Sequence, residues 1–193
     1  MKKPPVPGVP APEIALPDQD GVLQSLADRR GKWVLVYFYP RDDTPGCTVE
    51  ACGVRDAWGE FRRRGIEVFG ISADPVKSHK KFADKFALPF TLLADEAKTV
   101  IQAYGAWGRK SFMGREFDGI LRQSFLVDPK GAIAKVYAKV KPEGHAAEVL
   151  ADVAALSGGG ASSAPVLKPV EKAKPAARGK PSASSARKAK PKS

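Results

Sequence analysis

The chain has 193 residues, enough for one globular domain with a sizeable core and an additional segment. Its 32 Lys and Arg outnumber 21 Asp and Glu, for a formal net charge of +11, and 43% of its residues are hydrophobic. The longest strongly apolar run, residues 33–39, is too short to span a bilayer, which takes about 20 residues, so no membrane association is expected.

Met1-Lys2-Lys3 is followed by Pro4, Pro5, Pro7 and Pro10, not by the apolar stretch of a signal peptide, so the expected location is cytoplasmic. Residues 1–12 are read as a proline-rich, extended lead, residues 13–156 as the compact domain and residues 157–193 as a tail. The tail holds nine Lys and Arg against one acid, Glu171, and so carries +8 of the +11, leaving +3 for residues 1–156. Rich in Ala, Lys, Pro and Ser, it lacks the apolar surface to offset its ordering entropy and is expected to be disordered.

Within the domain, residues 33–39 form an unbroken apolar and aromatic run, the pattern of a strand buried on both faces. Helical stretches are predicted over 47–63, 75–86 and 96–104. Further strands fall at 66–71 and 90–93. Residues 124–127 and 133–137 flank Asp128-Pro129-Lys130-Gly131, a hairpin turn with Pro and Gly suitably placed. A closing helix covers 142–156. The order β-α-β-α-β-α-β-β-α indicates a mixed sheet with helices on both faces, the layout of thioredoxin-like α/β folds.

Both cysteines lie in Tyr39-Pro40-Arg41-Asp42-Asp43-Thr44-Pro45-Gly46-Cys47-Thr48-Val49-Glu50-Ala51-Cys52. A structural zinc site wants four Cys or His ligands, and here two cysteines and two distant histidines, His79 and His145, are the whole supply. Each histidine reads as a solvated helix residue. A permanent disulfide conflicts with helical spacing. Five residues advance about 500° and rise about 7.5 Å, putting the Cα atoms roughly 8–9 Å apart. Disulfides usually need about 6.8 Å or less. The bond therefore requires the first helical turns to unwind. Cys47 follows a Thr-Pro-Gly turn and opens a helix, where free backbone N–H groups and the helix dipole favour a thiolate nucleophile. Polar neighbours argue against its being a buried hydrophobe. Asp42 and Asp43 read as a solvated turn, Thr44 as a helix cap and Arg122 as a solvated strand-end charge.

The segment 39–47 resembles the active-site motif of peroxiredoxins, Pro-x-x-x-Thr-x-x-Cys, with Pro40, Thr44 and Cys47 at its three fixed positions. The continuation through Cys52, with residues 104–115 and 119–128, is similar to the bacterioferritin comigratory protein, or peroxiredoxin Q, branch. The similarity covers about residues 8–154. It implies a thioredoxin-dependent peroxidase acting on hydrogen peroxide and organic hydroperoxides, with no cofactor and a monomeric tendency. Cys47 would be the peroxidatic cysteine and Cys52 the resolving one, joined in a transient intramolecular disulfide. Thr44 would hold the peroxide in line, Arg122 would supply fixed positive charge, Pro40 would shield the sulfur and Glu50 would orient Arg122. The tail admits nonspecific nucleic-acid binding through its charge, and with it an alternative reading as a DNA-associating or redox-sensing binding protein.

Overall fold

The computed structural model describes residues 3–112 and 114–158. Its elements in chain order begin with β1 (Ala15–Pro17), β2 (Leu23–Ser25) and β3 (Trp33–Phe38). Two consecutive helices follow, α1 (Pro45–Asp56) and α2 (Trp58–Arg63), then β4 (Ile66–Ser72), α3 (Val76–Phe86), β5 (Thr91–Ala94) and α4 (Thr99–Ala103). The last part contains β6 (Trp107–Phe112), β7 (Arg115–Ile120), β8 (Gln123–Val127), β9 (Ile133–Tyr137) and α5 (His145–Ser157).

Residues along β3 alternate between two core layers. Leu35, Tyr37 and the following Tyr39 pack into one, and Val34, Val36 and Phe38 into the other, because successive side chains on a strand point to opposite faces. A strand covered on both sides has no polar face to present, which explains the unbroken apolar run. β3 pairs in parallel with β4 and antiparallel with β8, giving a five-stranded sheet of order β5-β4-β3-β8-β9. The parallel pairs β3–β4 and β4–β5 need crossovers, supplied by α1 with α2 and by α3. On one face Ala51, Val54, Phe61, Phe82, Ala83, Val149 and Val153 bring α1, α2, α3 and α5 onto the sheet. On the other lie Val100 and Ile101 of α4, together with Ile14, Leu26, Tyr104 and Ile120. This is the mixed sheet flanked by helices that the sequence predicts.

Three details differ from the prediction. The helix expected over 47–63 is two helices, because Ala57 leaves helical geometry with ψ of 5°. The break lets Trp58 stack on Phe61 at 6.5 Å and reach Phe90 at 5.9 Å between ring centroids. Two antiparallel ribbons, β1–β2 and β6–β7, lie outside the main sheet and were not predicted. Residues 8–11 run alongside the start of β9, with Gly8 N donating to Ile133 O at 2.8 Å and Ile133 N donating to Val9 O at 2.9 Å. No helix among the described residues is long and apolar enough to cross a membrane. The basic tail lies outside the described residues from position 159 onward.

Candidate active site

β3 delivers the chain to the site, and residues 40–44 turn it into α1. Pro45 occupies the first helical turn, where a missing N–H costs nothing. Thr44 sits at the N-cap in extended geometry (φ −95°, ψ 150°), but its side chain makes no cap bond. Instead its hydroxyl donates to Arg41 O at 3.1 Å, leaving the oxygen's lone pairs available. The first backbone bond of the helix, Thr48 N to Thr44 O at 2.8 Å, leaves the amides of Gly46 and Cys47 without intrahelical partners. Cys47 is therefore placed where the sequence puts it, in the positive first turn of a helix.

Its environment departs from the expectation. Cys47 is only 2% exposed and belongs to the core layer containing Tyr37, Tyr39, Ala51 and Val54. Its polar neighbours in sequence do not keep it in solvent: a first-turn residue on the sheet side of α1 packs inward, and Asp42 and Glu50 are themselves buried. Cys52, five positions on, is half-buried, and both thiols are free.

Arg122, in the turn between β7 and β8, is likewise not a solvated charge. Its side chain is 20% exposed, and Nη2 donates to Cys47 Sγ at 3.2 Å. Nη1 donates to Glu50 Oε2. Gly46 leaves room for this guanidinium, since a Cβ at position 46 would lie 3.3 Å from Nη2. Glu50, one turn after Cys47, is buried, and burial pushes its carboxyl up to about 7 although Arg122 pulls the other way. Its second oxygen, Oε1, has no hydrogen-bond partner among the described residues. Pro40 is half-buried and continues directly from β3. Cys47, Arg122 and Glu50 thus form one contact cluster, with Thr44 at the helix cap beside it.

Tyr37, Asp42 and His79 also flank the site, although the sequence offers no role for Tyr37 and reads the other two as solvated. The Tyr37 phenol lies against Gly70, where a Cβ would come within 2.6 Å of the ring, and its hydroxyl is buried without a partner among the described residues. Burial first, then the charges of Glu50 and Cys47, raise its ionisation well above the usual tyrosine range, so it is a neutral phenol. Asp42 is buried, not solvated: its carboxylate accepts from Tyr39 Oη at 2.7 Å and meets His79 Nδ1 at 3.0 Å. Burial raises the Asp42 carboxyl, but the His79 hydrogen bond and charge outweigh it and hold it below the usual range. His79 is fully buried in α3, its Nε2 facing Leu93 O at 3.1 Å. The ring is thus held between the Leu93 carbonyl and the Asp42 carboxylate, which fixes its orientation. The Asp42 amide donates to Asp74 Oδ2 at 2.8 Å, and Asp43, at φ 53°, meets Lys85 Nζ at 2.5 Å. The loop before Cys47 is therefore fastened to α3 and the end of β4.

His145, also expected in solvent, is buried at the start of α5. Its Nε2 pairs with Ser124 Oγ at 2.8 Å, and its ring stands edge-on to Tyr137 at 5.1 Å. Burial, then the Arg122 charge, lowers it to about 4, so it is uncharged near neutrality. The two histidines carried a readable signal. His79, Phe82, Ala83 and Phe86 follow helical spacing, as do His145, Val149 and Val153, so each lies on its helix's inward stripe.

A two-helix crossover that sets a buried cysteine on a helix N-terminus under an arginine defines a thiol enzyme of thioredoxin-like fold. Comparison with known proteins agrees with that class. The model of the AhpC/TSA family matches residues 7–136. Peroxiredoxin Bcp of Escherichia coli K12 is 50% identical over 135 residues, spanning 70% of this chain and 86% of that protein. A solved structure of the Xanthomonas campestris bacterioferritin comigratory protein, studied for alkyl peroxide reduction, superposes with a TM-score of 0.71 at 35% identity. The match covers 75% of this chain and 92% of that one. Peroxidoxin BcpB of Mycobacterium tuberculosis gives 0.69 at 32% identity, over 78% and 97% of the two chains. The chain belongs to the AhpC/TSA family, among the peroxiredoxins of the Bcp and peroxiredoxin Q type, and is a peroxidase. The reading of a DNA-associating or redox-sensing binding protein finds no support in these relatives.

Proposed function

We propose that the enzyme reduces hydrogen peroxide and organic hydroperoxides through Cys47, resolves the product with Cys52 and is recycled by a dithiol protein of the thioredoxin type. The observation that carries this reading is the 3.2 Å contact between Arg122 Nη2 and Cys47 Sγ at a helix N-terminus. Two features there, the guanidinium and the unpaired amides, favour negative charge on sulfur.

The thiolate attacks the terminal oxygen of the hydroperoxide. An S–O bond forms as the O–O bond breaks, sulfur loses two electrons, and the leaving oxygen takes up a proton to depart as water or alcohol. Charge moves from sulfur to the leaving oxygen, and Arg122 lies where it meets both ends of that shift. Glu50 holds the guanidinium's other nitrogen and so fixes its direction. Thr44, its hydroxyl hydrogen committed to Arg41 O, accepts from the peroxide O–H and aligns it with sulfur. Pro40, without an N–H, shields the sulfur on the loop side.

The Cys47 sulfenic acid then condenses with the Cys52 thiol, releasing water and forming the disulfide. Helical spacing keeps the two sulfurs apart in α1, so residues 47–53 must unwind first. Gly53 assists, costing about 1 kcal/mol of helix stability relative to alanine. A Cβ there would stand at an ordinary 3.9 Å from Pro142 O, so no crowding demands a glycine at this position. A reduced dithiol supplies two electrons and two protons to restore both thiols. Steady-state peroxide consumption with thioredoxin and thioredoxin reductase tests the scheme. Cys47→Ser should abolish turnover, and Cys52→Ser should spare the first oxidation but block recycling. Recycling left intact in Cys52→Ser would refute the two-thiol route.

A further inference from the structure

We infer that Lys110 is a second cation of the peroxidatic site, a positioning charge on the β6–β7 ribbon that favours negative charge on Cys47 alongside Arg122. The inference rests on Cys47 as the nucleophile and adds a residue that the proposed mechanism does not use.

The geometry begins with the ribbon's register. Lys110 pairs across with Phe117, yet its side chain does not stand out over that residue. It runs along the ribbon, and Nζ donates to Ile120 O at 2.6 Å. Gly119 clears the path, since a Cβ there would lie 3.2 Å from Lys110 Cδ. Leu121 N donates to Ala106 O at 2.7 Å and ties the next residue down. Arg122 follows and touches Cys47. Two glycines thus open lanes for two cations: Gly119 for the Lys110 stem and Gly46 for the Arg122 guanidinium.

Charge accounting gives Lys110 its weight. Among the described residues, Tyr37 of β3, Glu50 of α1, Lys110 of β6 and His145 of α5 lie close enough to Cys47 or Arg122 to feel their charge. Tyr37 is a neutral phenol and His145 is uncharged near neutrality. Arg122 is matched by Glu50 once that carboxyl ionises. Lys110 has no carboxylate partner among the described residues, in contrast to Arg109 on the same strand, which meets Glu116 at 3.1 Å. Its ammonium rests on a neutral carbonyl and keeps its full charge. Burial and then Arg122 hold that ammonium below the usual lysine range, while the Cys47 sulfur pulls it back up. With Glu50 ionised, Arg122 and Glu50 balance and Lys110 is the cation left over beside them; with Glu50 protonated, Lys110 adds its charge to that of Arg122.

The test uses the full chain with Cys52→Ser, so that a single thiol reports. The rate of sulfenic acid formation with hydrogen peroxide is followed across the pH range by trapping and mass spectrometry. Lys110→Met should move the acid limb of the rate profile up by about one pH unit, a loss of about tenfold on that limb. Lys110→Arg should restore most of the rate, and circular dichroism should be the same for all three chains. A Lys110→Met profile that superposes on its parent would overturn the inference, as would Lys110→Arg behaving like Lys110→Met. If the parent itself formed no sulfenic acid at Cys47, the nucleophile assignment would fall first and this inference with it.

Discussion

Arg122 reaches the Cys47 sulfur over bare backbone: Gly46 lies beneath the guanidinium, and a Cβ there would sit 3.3 Å from Nη2. The pairing is held from the far side by Glu50, so Arg122 has little freedom to give way. Gly46→Ala separates helix stability from chemistry. Alanine favours the helix by about 1 kcal/mol, so the unfolding midpoint should hold or rise. The guanidinium must shift by a few tenths of an ångström, and peroxide oxidation should slow by about tenfold. Urea unfolding together with stopped-flow oxidation of the reduced enzyme checks both halves.

Glu50 makes stability depend on pH in a direction opposite to that of an ordinary paired carboxylate. Burial raises its carboxyl from 4.5 to about 7, so between those values the folded chain holds a proton that the unfolded chain has lost. Its contribution is present at low pH and declines as pH rises toward 7. Against Glu50→Gln, the native enzyme should therefore lose relative stability between about pH 4.5 and 7. Urea titrations of the two chains at several pH values measure this, and a difference that grows with pH would contradict it.

His79 fastens the loop that precedes Cys47. Replacing it by leucine removes the ring from the Asp42 carboxylate, which keeps the Tyr39 hydroxyl, and from the Leu93 carbonyl. Removing the partner of a buried carboxylate costs about 1–3 kcal/mol or more. The Asp42 carboxyl is held low, so the pair's contribution is present near neutrality and is lost as pH falls through that lowered value. The deficit of His79→Leu should be largest near neutral pH and shrink in acid. Amide exchange should quicken over residues 40–46, which Asp42 and Asp43 tether to Asp74, His79 and Lys85.

Much of this was legible in the sequence, for identifiable reasons. β3 stood out because a strand buried on both faces needs an unbroken apolar run. The mixed order of the sheet followed from helices between parallel strands and a Pro-Gly turn between antiparallel ones. The β6–β7 ribbon was hidden because Trp-Gly-Arg-Lys-Ser-Phe has no clean apolar alternation: Gly108 and Gly119 are there for the side chains that cross them. Cys47 was expected to be more exposed because its sequence neighbours are polar, yet one inward position in a helical turn is enough to bury it. Asp42 and His79 meet across 37 positions, a distance no local pattern reports, although the helical spacing of His79 with Phe82 and Phe86 marks it as inward-facing. Arg122 could be placed at the sulfur only through the family resemblance, since an arginine beside a strand is ordinarily a surface charge.

In the proposed cycle, peroxide oxidises Cys47 and Cys52 answers it across an opened helix. One measurement addresses this most directly. The reduced enzyme is given one equivalent of hydrogen peroxide, then analysed by intact and peptide mass spectrometry with far-ultraviolet circular dichroism on the same sample. The expected result is a loss of two hydrogens, a disulfide between Cys47 and Cys52, and reduced helicity as the first turns of α1 unwind. Cys52→Ser should instead stop at a Cys47 sulfenic acid with one oxygen gained and helicity retained. Oxidation at Cys47 with Cys52 still a free thiol, or a disulfide formed with no change in helicity, would contradict it.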